Sequence, residues 1–459
     1  MFLVTNSTLT KIVDGIWLQE GENLNKEYPL HLEIDSRKVR PGDVFVCLQG
    51  ERVDGHNYVD QALQKGARGF IVEKPLSTME KQESFFVLRV KKTSQALLDI
   101  ATEIAKQYSS ILITGSAGKT TTKQILETIL PSSHATFGNY NTPIGLPVAF
   151  SNIPANTKWI LSELSASYPG EIETILPLFS SSEGAILTGI GNSHTEFFSS
   201  TKEILNSKAL IFENVSNSHT CFANGHLEGL EKDLKRMHPC VQLYGFDASM
   251  DIPIVLLGMD KQGTTFSFST GGSSYTFTLP CFGKHYVLNA VACIALTMQL
   301  CPSLKVAEIQ ERLQTFTPGK GRGRWLHLFH GCVCIDESYN ANPLSMKMSL
   351  EAFFSFPASS KILVLGDMLE LGSMAEQEHK KIGTLVKQCH AKRIFYIGQY
   401  GKSFQDGYGT SEDVEYYTTI EELYDHLQKW VRKDTAMFVK ASNGVGLHTL
   451  VNKLESMVK

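Results

Sequence analysis

Apolar residues in this chain fall into short runs separated by turn-forming residues, and the spacing of the runs changes along its length. Up to about residue 85 the runs are brief, as in Asp43-Val-Phe-Val-Cys-Leu-Gln-Gly50 and Gly69-Phe-Ile-Val-Glu73, and a helix is predicted at 57–66. That pattern suits a small α/β domain. Thr93 to Tyr108 reads as a helix without Gly or Pro, and Ser109-Ser110 then lead into the strand Ile111-Leu-Ile-Thr114. A first domain is therefore expected over 1–108.

From 111 the order is strand, Gly-rich turn, helix, strand, with further strands at Lys158–Leu164 and Ala185–Ile190. This alternation predicts a doubly wound parallel sheet. Residues 240–282 read as short strands broken by Gly263, Gly271 and Gly272, hairpins attached to that sheet, and an apolar helix follows at 284–300. Thr317-Pro-Gly-Lys-Gly-Arg-Gly323 has the composition of a hinge. The central domain is thus expected over 109–318 and a third over 319–459. Strands at Cys332–Ile335, Lys361–Leu365, Arg393–Ile397 and Ala436–Val439 alternate with helical segments in the third, which predicts a Rossmann-like parallel α/β unit.

Composition narrows the functions open to such a molecule. Charged residues are 20 % and apolar ones 42 % of the 459, the balance of a globular protein, and the formal charge of -4 argues against a nucleic-acid partner. The longest apolar stretch, about Val287 to Leu300, is too short to span a bilayer, so no membrane insertion is expected. The start Met-Phe-Leu-Val-Thr-Asn-Ser lacks the features of a secretory signal, and a cytoplasmic protein is expected. Nine scattered cysteines without a Cys-x-x-Cys pair point to reduced, mostly buried thiols.

The strongest candidate chemistry is Gly115-Ser116-Ala117-Gly118-Lys119-Thr120-Thr121. Lying between a strand and a helix, it can wrap phosphates with backbone N–H groups and add the positive end of the helix. Lys119 would meet the β and γ phosphates of ATP, and Thr120 a Mg²⁺. Ile113 stands where the usual G-x-x-x-x-G-K-[ST] pattern has its first glycine, so this is a shortened variant. Glu163 and His194 follow two neighbouring strands, where ligands of open parallel sheets gather, and could bind divalent cations or serve only the fold. Ser200-Thr-Lys-Glu203 reads as a capping box, and the helix it starts places Lys208 in the middle of the apolar face of Ile204, Leu205, Ile211 and Phe212. Its ammonium either snorkels to the surface or is a desolvated, neutral amine open to chemistry.

Taken in order, these motifs resemble the Mur ligases of peptidoglycan synthesis, most closely the MurF type. The likeness runs from Asp35-Ser-Arg37 and Gly50-Glu-Arg-Val-Asp-Gly-His56 through the phosphate loop and Gly138-Asn-Tyr-Asn141. It continues through Glu163-Leu-Ser-Ala-Ser-Tyr-Pro-Gly-Glu-Ile172, Asp336-Glu-Ser-Tyr-Asn-Ala-Asn-Pro343 and Leu365-Gly-Asp-Met-Leu-Glu-Leu-Gly372. The Tyr-Asn-Ala-Asn-Pro and Gly-Asp-Met-x-Glu-Leu-Gly motifs distinguish it from the MurE and folylpolyglutamate types, which add a single amino acid. A non-catalytic P-loop switch is the alternative outside the enzymes.

The resemblance implies an ADP-forming ligase that joins D-alanyl-D-alanine to UDP-N-acetylmuramoyl-tripeptide through an acyl phosphate, acting as a monomer. It implies ATP and two Mg²⁺ ions, with metal positions at Thr120, Glu163, His194 and a carbamylated Lys208. By the same likeness Asn289 and Asn340 would contact the nucleotide. Ser36, Arg37, Asp54, His56 and Asn141 would face the UDP substrate. Arg324 would reach the γ-phosphate, although Arg322, two residues earlier, leaves the choice of hinge arginine open. Tyr286, Thr142, the Ala-Leu-Ile-Phe segment after Lys208 and Lys440-Ala-Ser442 depart from the family's usual residues.

Overall fold

The computed structural model describes residues 2–21, 26–50, 53–76, 85–136, 140–191, 197–227, 229–260, 262–328 and 331–456. Three main sheets follow one another along the chain. The first has five strands in the order Ile16–Gln19, Phe86–Arg89, Gly69–Val72, Val44–Val46, Leu32–Glu33, parallel except at the Ile16–Gln19 edge. A separate two-stranded pairing joins Leu3–Val4 to Tyr28–Pro29.

The central sheet has nine strands. Ser109–Thr114 lies between Trp159–Glu163 and Gly184–Leu187, parallel to both, and Ser133–Ala135 closes that edge. On the other side come Cys221–Asn224 and Gln242–Gly245, and then the antiparallel strands Ile252–Asp260, Gly263–Thr270 and Ser273–Leu279. The expected hairpins therefore extend the nucleotide sheet. The helix Lys284–Leu300 covers it, buried at twelve consecutive positions from Tyr286 to Thr297, which is why its sequence is apolar on nearly every side.

The third sheet has six strands, ordered Arg324–His327, Val333–Asp336, Thr435–Lys440, Ser360–Gly366, Arg393–Ile397, Val414–Tyr417. Ile362 and Val364 enter one core and Leu363 and Leu365 the other, so both faces are covered and the strand reads as a continuous apolar run. Two strands escaped the sequence pattern. Val414–Tyr417 is a short edge strand with only its two end residues buried, and Arg324–His327, directly after the expected hinge, pairs antiparallel with Val333–Asp336.

The first two units share part of their core. The helix Thr93–Ala105 inserts Leu97, Ile100, Ala101 and Ile104 into one apolar cluster with Leu112, Leu146 and Phe150 of the following sheet unit. Leu32 N–H also donates to Ser151 Oγ at 2.9 Å. The first unit is thus docked on the second by a shared core.

Candidate active site

The strand Ser109–Thr114 delivers the chain into a tight loop that only glycine can trace. Gly115 has φ +149° and Gly118 φ +88°, and a Cβ on either would lie 2.1 Å from Thr188 Oγ1 or 2.8 Å from Asn289 Oδ1. Gly118 is the residue before the helix Lys119–Ile129, whose first N–H groups face the loop. Lys119 folds back so that Nζ donates to the Gly115 carbonyl at 2.7 Å. Burial lowers its pKa below the ordinary lysine value, against the opposing pull of Glu163.

Thr120 Oγ1 donates to Glu163 Oε2 at 2.8 Å, joining the loop to the end of the strand Trp159–Glu163. Burial would raise the Glu163 pKa, but Lys123, Lys119 and Arg322 outweigh it and hold the carboxyl below its usual value, ionised. Lys123 was not a sequence candidate. It is buried one turn beyond Lys119, with Nζ 3.4 Å from Glu163 Oε2 and donating to the Thr136 carbonyl at 2.7 Å. Its signal was its place four residues after Lys119 on a buried helix face.

Lys208 settles between its two readings in favour of burial. Ser200 Oγ caps the helix Thr201–Ala209 by accepting from Glu203 N–H, while the Glu203 carboxylate accepts from Ser199 instead of completing the reciprocal box. The Lys208 side chain is 1 % exposed, and Nζ has a 3.4 Å contact to the Ala166 carbonyl. Burial drives its pKa well below the lysine value, and Lys119 adds to that, with Glu171 opposing. Among the described residues no carboxylate lies within ion-pair distance of it. His194 lies outside the described residues.

Lys119, Thr120 and Glu163 meet a cavity of about 1320 Å³, above the roughly 300–1,000 Å³ of an ordinary small-ligand pocket, whereas Lys123 and Lys208 lie behind its lining. Ser116, Ala117, Gly118, Lys119, Thr120, Thr121, Asn141, Glu163, Asn289 and Asn340 all line it. Its far wall comes from the third unit. There Asn342 caps the helix Pro343–Phe354 and its Nδ2 donates to the Ser116 carbonyl at 2.9 Å, a direct bond from that unit to the phosphate loop. Asn340 Oδ1 accepts from Ala341 N–H at 2.9 Å, which leaves this residue shaping the wall.

The structure separates the two hinge arginines. Arg322 lines the cavity with its guanidinium 3.8 Å above the Tyr339 ring, whereas Arg324 points away, paired with Glu455 and 3.8 Å from Asp336 Oδ2. Arg324 thus lies on the third unit outside the cavity lining, because it has entered the Arg324–His327 strand while Arg322 is still in the preceding turn, with Gly323 at φ +90° between them. Glu337 and Lys440, also missed as site residues, form a buried pair at 3.1 Å on the same wall.

Four proposed substrate residues lie on the first unit rather than in the cavity lining. Ser36 Oγ donates to Gln61 Oε1 at 2.5 Å, and Arg37 makes a two-pronged pair with Asp35 at 2.9 Å for each bond. His56 Nδ1 donates to Asp54 Oδ1 at 2.6 Å while its Nε2 accepts from Glu73 N–H at 3.0 Å. Both His56 nitrogens are thus committed to bonds within the first unit, and Arg37, 80 % exposed, is the one of the four with a side chain extended to solvent.

A phosphate loop, an ionised strand-end carboxylate on the loop threonine and a wall supplied by a separate α/β unit define an ATP-using enzyme. Family models match in series: Mur ligase family, catalytic domain, over 31–104; Mur ligase middle domain over 113–297; and Mur ligase, glutamate ligase domain, over 321–443. The chain belongs to the Mur ligase family. Within it, the likeness is to the MurF type. It is 30 % identical over 430 residues to the UDP-N-acetylmuramoyl-tripeptide–D-alanyl-D-alanine ligase of Bacillus subtilis, covering 92 % of each chain. It superposes on MurF from Acinetobacter baumannii with TM-score 0.85 at 25 % identity, covering 99 % of both chains. Thermotoga maritima MurF in complex with ADP gives 0.78 at 25 % identity, over 94 % of this chain and 98 % of that one.

Proposed function

We propose that this protein is an ATP-dependent, ADP-forming ligase that joins D-alanyl-D-alanine to UDP-N-acetylmuramoyl-tripeptide, yielding the UDP-muramoyl-pentapeptide used for peptidoglycan. The observation that carries the reading is the cavity in which Lys119, the Thr120–Glu163 pair and Arg322 converge under a wall bonded to the phosphate loop through Asn342. A carboxylate resists attack by an amine until one of its oxygens becomes a leaving group. Transfer of the γ-phosphoryl group to the tripeptide carboxylate provides that, and the amine of D-alanyl-D-alanine then displaces phosphate from the acyl phosphate. The demand on the protein is positive charge and alignment.

Each side chain has a place in that scheme. Lys119, now on the Gly115 carbonyl, is released to the nucleotide phosphates, and Arg322 supplies charge from the opposite wall. The Thr120 hydroxyl and the ionised Glu163 are hard oxygen donors of the kind magnesium selects, so this pair fits the ion. Magnesium bound there would neutralise phosphate charge and orient the group in transfer. Lys208 fits a carbamate: its neutral amine adds to CO₂, a C–N bond forms, the displaced π pair settles on oxygen and a proton leaves to solvent. Burial without a carboxylate partner among the described residues supports this, since the product is an anion able to join His194 as a second metal position. Arg37 and Asn141 serve the UDP substrate, with Ser36, Asp54 and His56 holding the surrounding turns. Asn289 borders the nucleotide. The domains act as 1–108 for UDP substrate, 109–318 for ATP and 319–459 for closure and the incoming amine.

Among the described residues no helix is long and apolar enough to cross a membrane, and the use of ATP with a nucleotide-linked substrate supports work in the cytoplasm. The deciding experiment measures ADP release with UDP-tripeptide and either D-alanyl-D-alanine or single amino acids. Turnover is expected only with the dipeptide, and turnover only with a single amino acid would reject the reading.

A further inference from the structure

Tyr286 is the third residue of the central-sheet helix Lys284–Leu300 and reaches the third unit. Its buried hydroxyl donates to the Arg322 carbonyl at 2.6 Å and lies 3.0 Å from Glu337 Oε1. A phenol has one proton, so two acceptors compete for it. The Arg322 carbonyl has the shorter contact, and Glu337 keeps Lys440 Nζ at 3.1 Å on its other oxygen. His285, the neighbouring residue, is 3.8 Å from Glu337 Oε1, too far for a hydrogen bond. The 2.6 Å bond to the Arg322 carbonyl ties the tyrosine to the arginine's own backbone.

The loop around Arg322 is shaped to receive this hydroxyl. Gly323 has φ +90°, and a Cβ there would lie 1.6 Å from Tyr286 Oη, so the tyrosine fits only because residue 323 has no side chain. On the opposite side Gly321 N–H donates to Asp336 Oδ2 at 2.8 Å and its carbonyl accepts from Tyr339 N–H at 3.0 Å. The Arg322 backbone is thus held between the third unit and a central-domain tyrosine, while its guanidinium rests on the Tyr339 ring and acts electrostatically on Lys119 and Glu163.

We propose that Tyr286 is a positioning residue for the ligase reaction, its hydroxyl bonding the Arg322 carbonyl across the domain boundary so that the guanidinium faces the transferring phosphoryl group. The inference rests on the role given to Arg322 above. Charge used chiefly while the phosphoryl group moves affects turnover more than nucleotide binding. Tyr286→Phe removes the hydroxyl alone. It is expected to lower kcat about tenfold and leave KM for ATP within about twofold. In an Arg322→Ala background the same change should cost nothing further, since the tether then has nothing to aim. Gly323→Ala, whose methyl displaces the hydroxyl, should reproduce the loss and its disappearance in that background. Thermal unfolding of each variant separates a folding defect from these effects.

Wild-type turnover by Arg322→Ala would remove the arginine's role and the tether with it. An impaired Arg322→Ala beside a fully active Tyr286→Phe would reject the tether alone. So would a further tenfold loss in the double variant, because a merely structural tyrosine acts independently of the arginine.

Discussion

The ionised Glu163 carboxylate owes its state to neighbours rather than to solvent. Burial disfavours its charge, and Lys123, Lys119 and Arg322 restore it, with Thr120 adding a hydrogen bond. The Lys123 charge acts most strongly among these, and its ammonium is itself fixed behind the carboxylate by the Thr136 carbonyl. Partners that orient a metal-ligating group typically cost about 10–100-fold in metal affinity when lost. Lys123→Met should therefore raise the Mg²⁺ concentration for half-maximal ADP release by about that factor, and an unchanged Mg²⁺ titration would contradict the assignment. Lys119→Ala should lower kcat by about 10²–10³-fold, the scale of losing one preorganised charge donor, as read by ADP release at saturating ATP. For Lys208 the chemistry predicts a dependence on dissolved CO₂: turnover should fall after degassing and return on adding bicarbonate.

Among the elements, the helix Pro343–Phe354 has two tasks at its first turn. Asn342 accepts from Ser345 N–H at 2.8 Å as its cap and donates to the Ser116 carbonyl as the link between units. Asn342→Ala should cost about 1 kcal/mol as a lost cap. Because the second bond lies on the phosphate loop, ADP affinity should weaken as well, measured by calorimetry. A cap alone would leave nucleotide binding untouched. The loop itself tolerates no side chain at Gly118, where a methyl group would both demand φ +88° of a non-glycine residue and press on Asn289.

For the whole molecule, the Glu337–Lys440 pair makes the third unit sensitive to acid. Burial acts to raise the Glu337 pKa, but Lys440 and the nearby His285 bring it down to about 2 from an ordinary 4.5. A depressed folded-state pKa gives stability that is present above the unfolded value and lost as pH falls toward the folded one. The window is therefore pH 4.5 down to about 2, and the full effect is on the order of 3 kcal/mol. Denaturant unfolding between pH 6 and 3 should show wild type losing more stability than Glu337→Gln, which has no proton to take up. Parallel losses would show that the pair does not govern acid stability.

Local pattern alone determined much of this protein. The shortened loop at 115–121, the capped helix bearing Lys208 and the alternating strands of the second and third units are short-range features, set by glycine conformations, side-chain caps and apolar spacing. Glu163 was legible because strand ends in a parallel sheet fall at one edge, and Asn289 only through the family resemblance. What pattern could not decide was which side chains meet across distant segments. Arg322 and Arg324 are both arginines in the same glycine-rich stretch, and only the antiparallel pairing of Arg324 with Asp336 turns one to the cavity and the other to Glu455. Lys208 could have snorkelled until packing enclosed it. The shared core joining the first unit to the second, and the Asn342 bond closing the third over the phosphate loop, depend on contacts between residues far apart in the chain. Tertiary structure alone fixes those, because burial and ion pairing are properties of the assembled neighbourhood and not of a residue's own sequence.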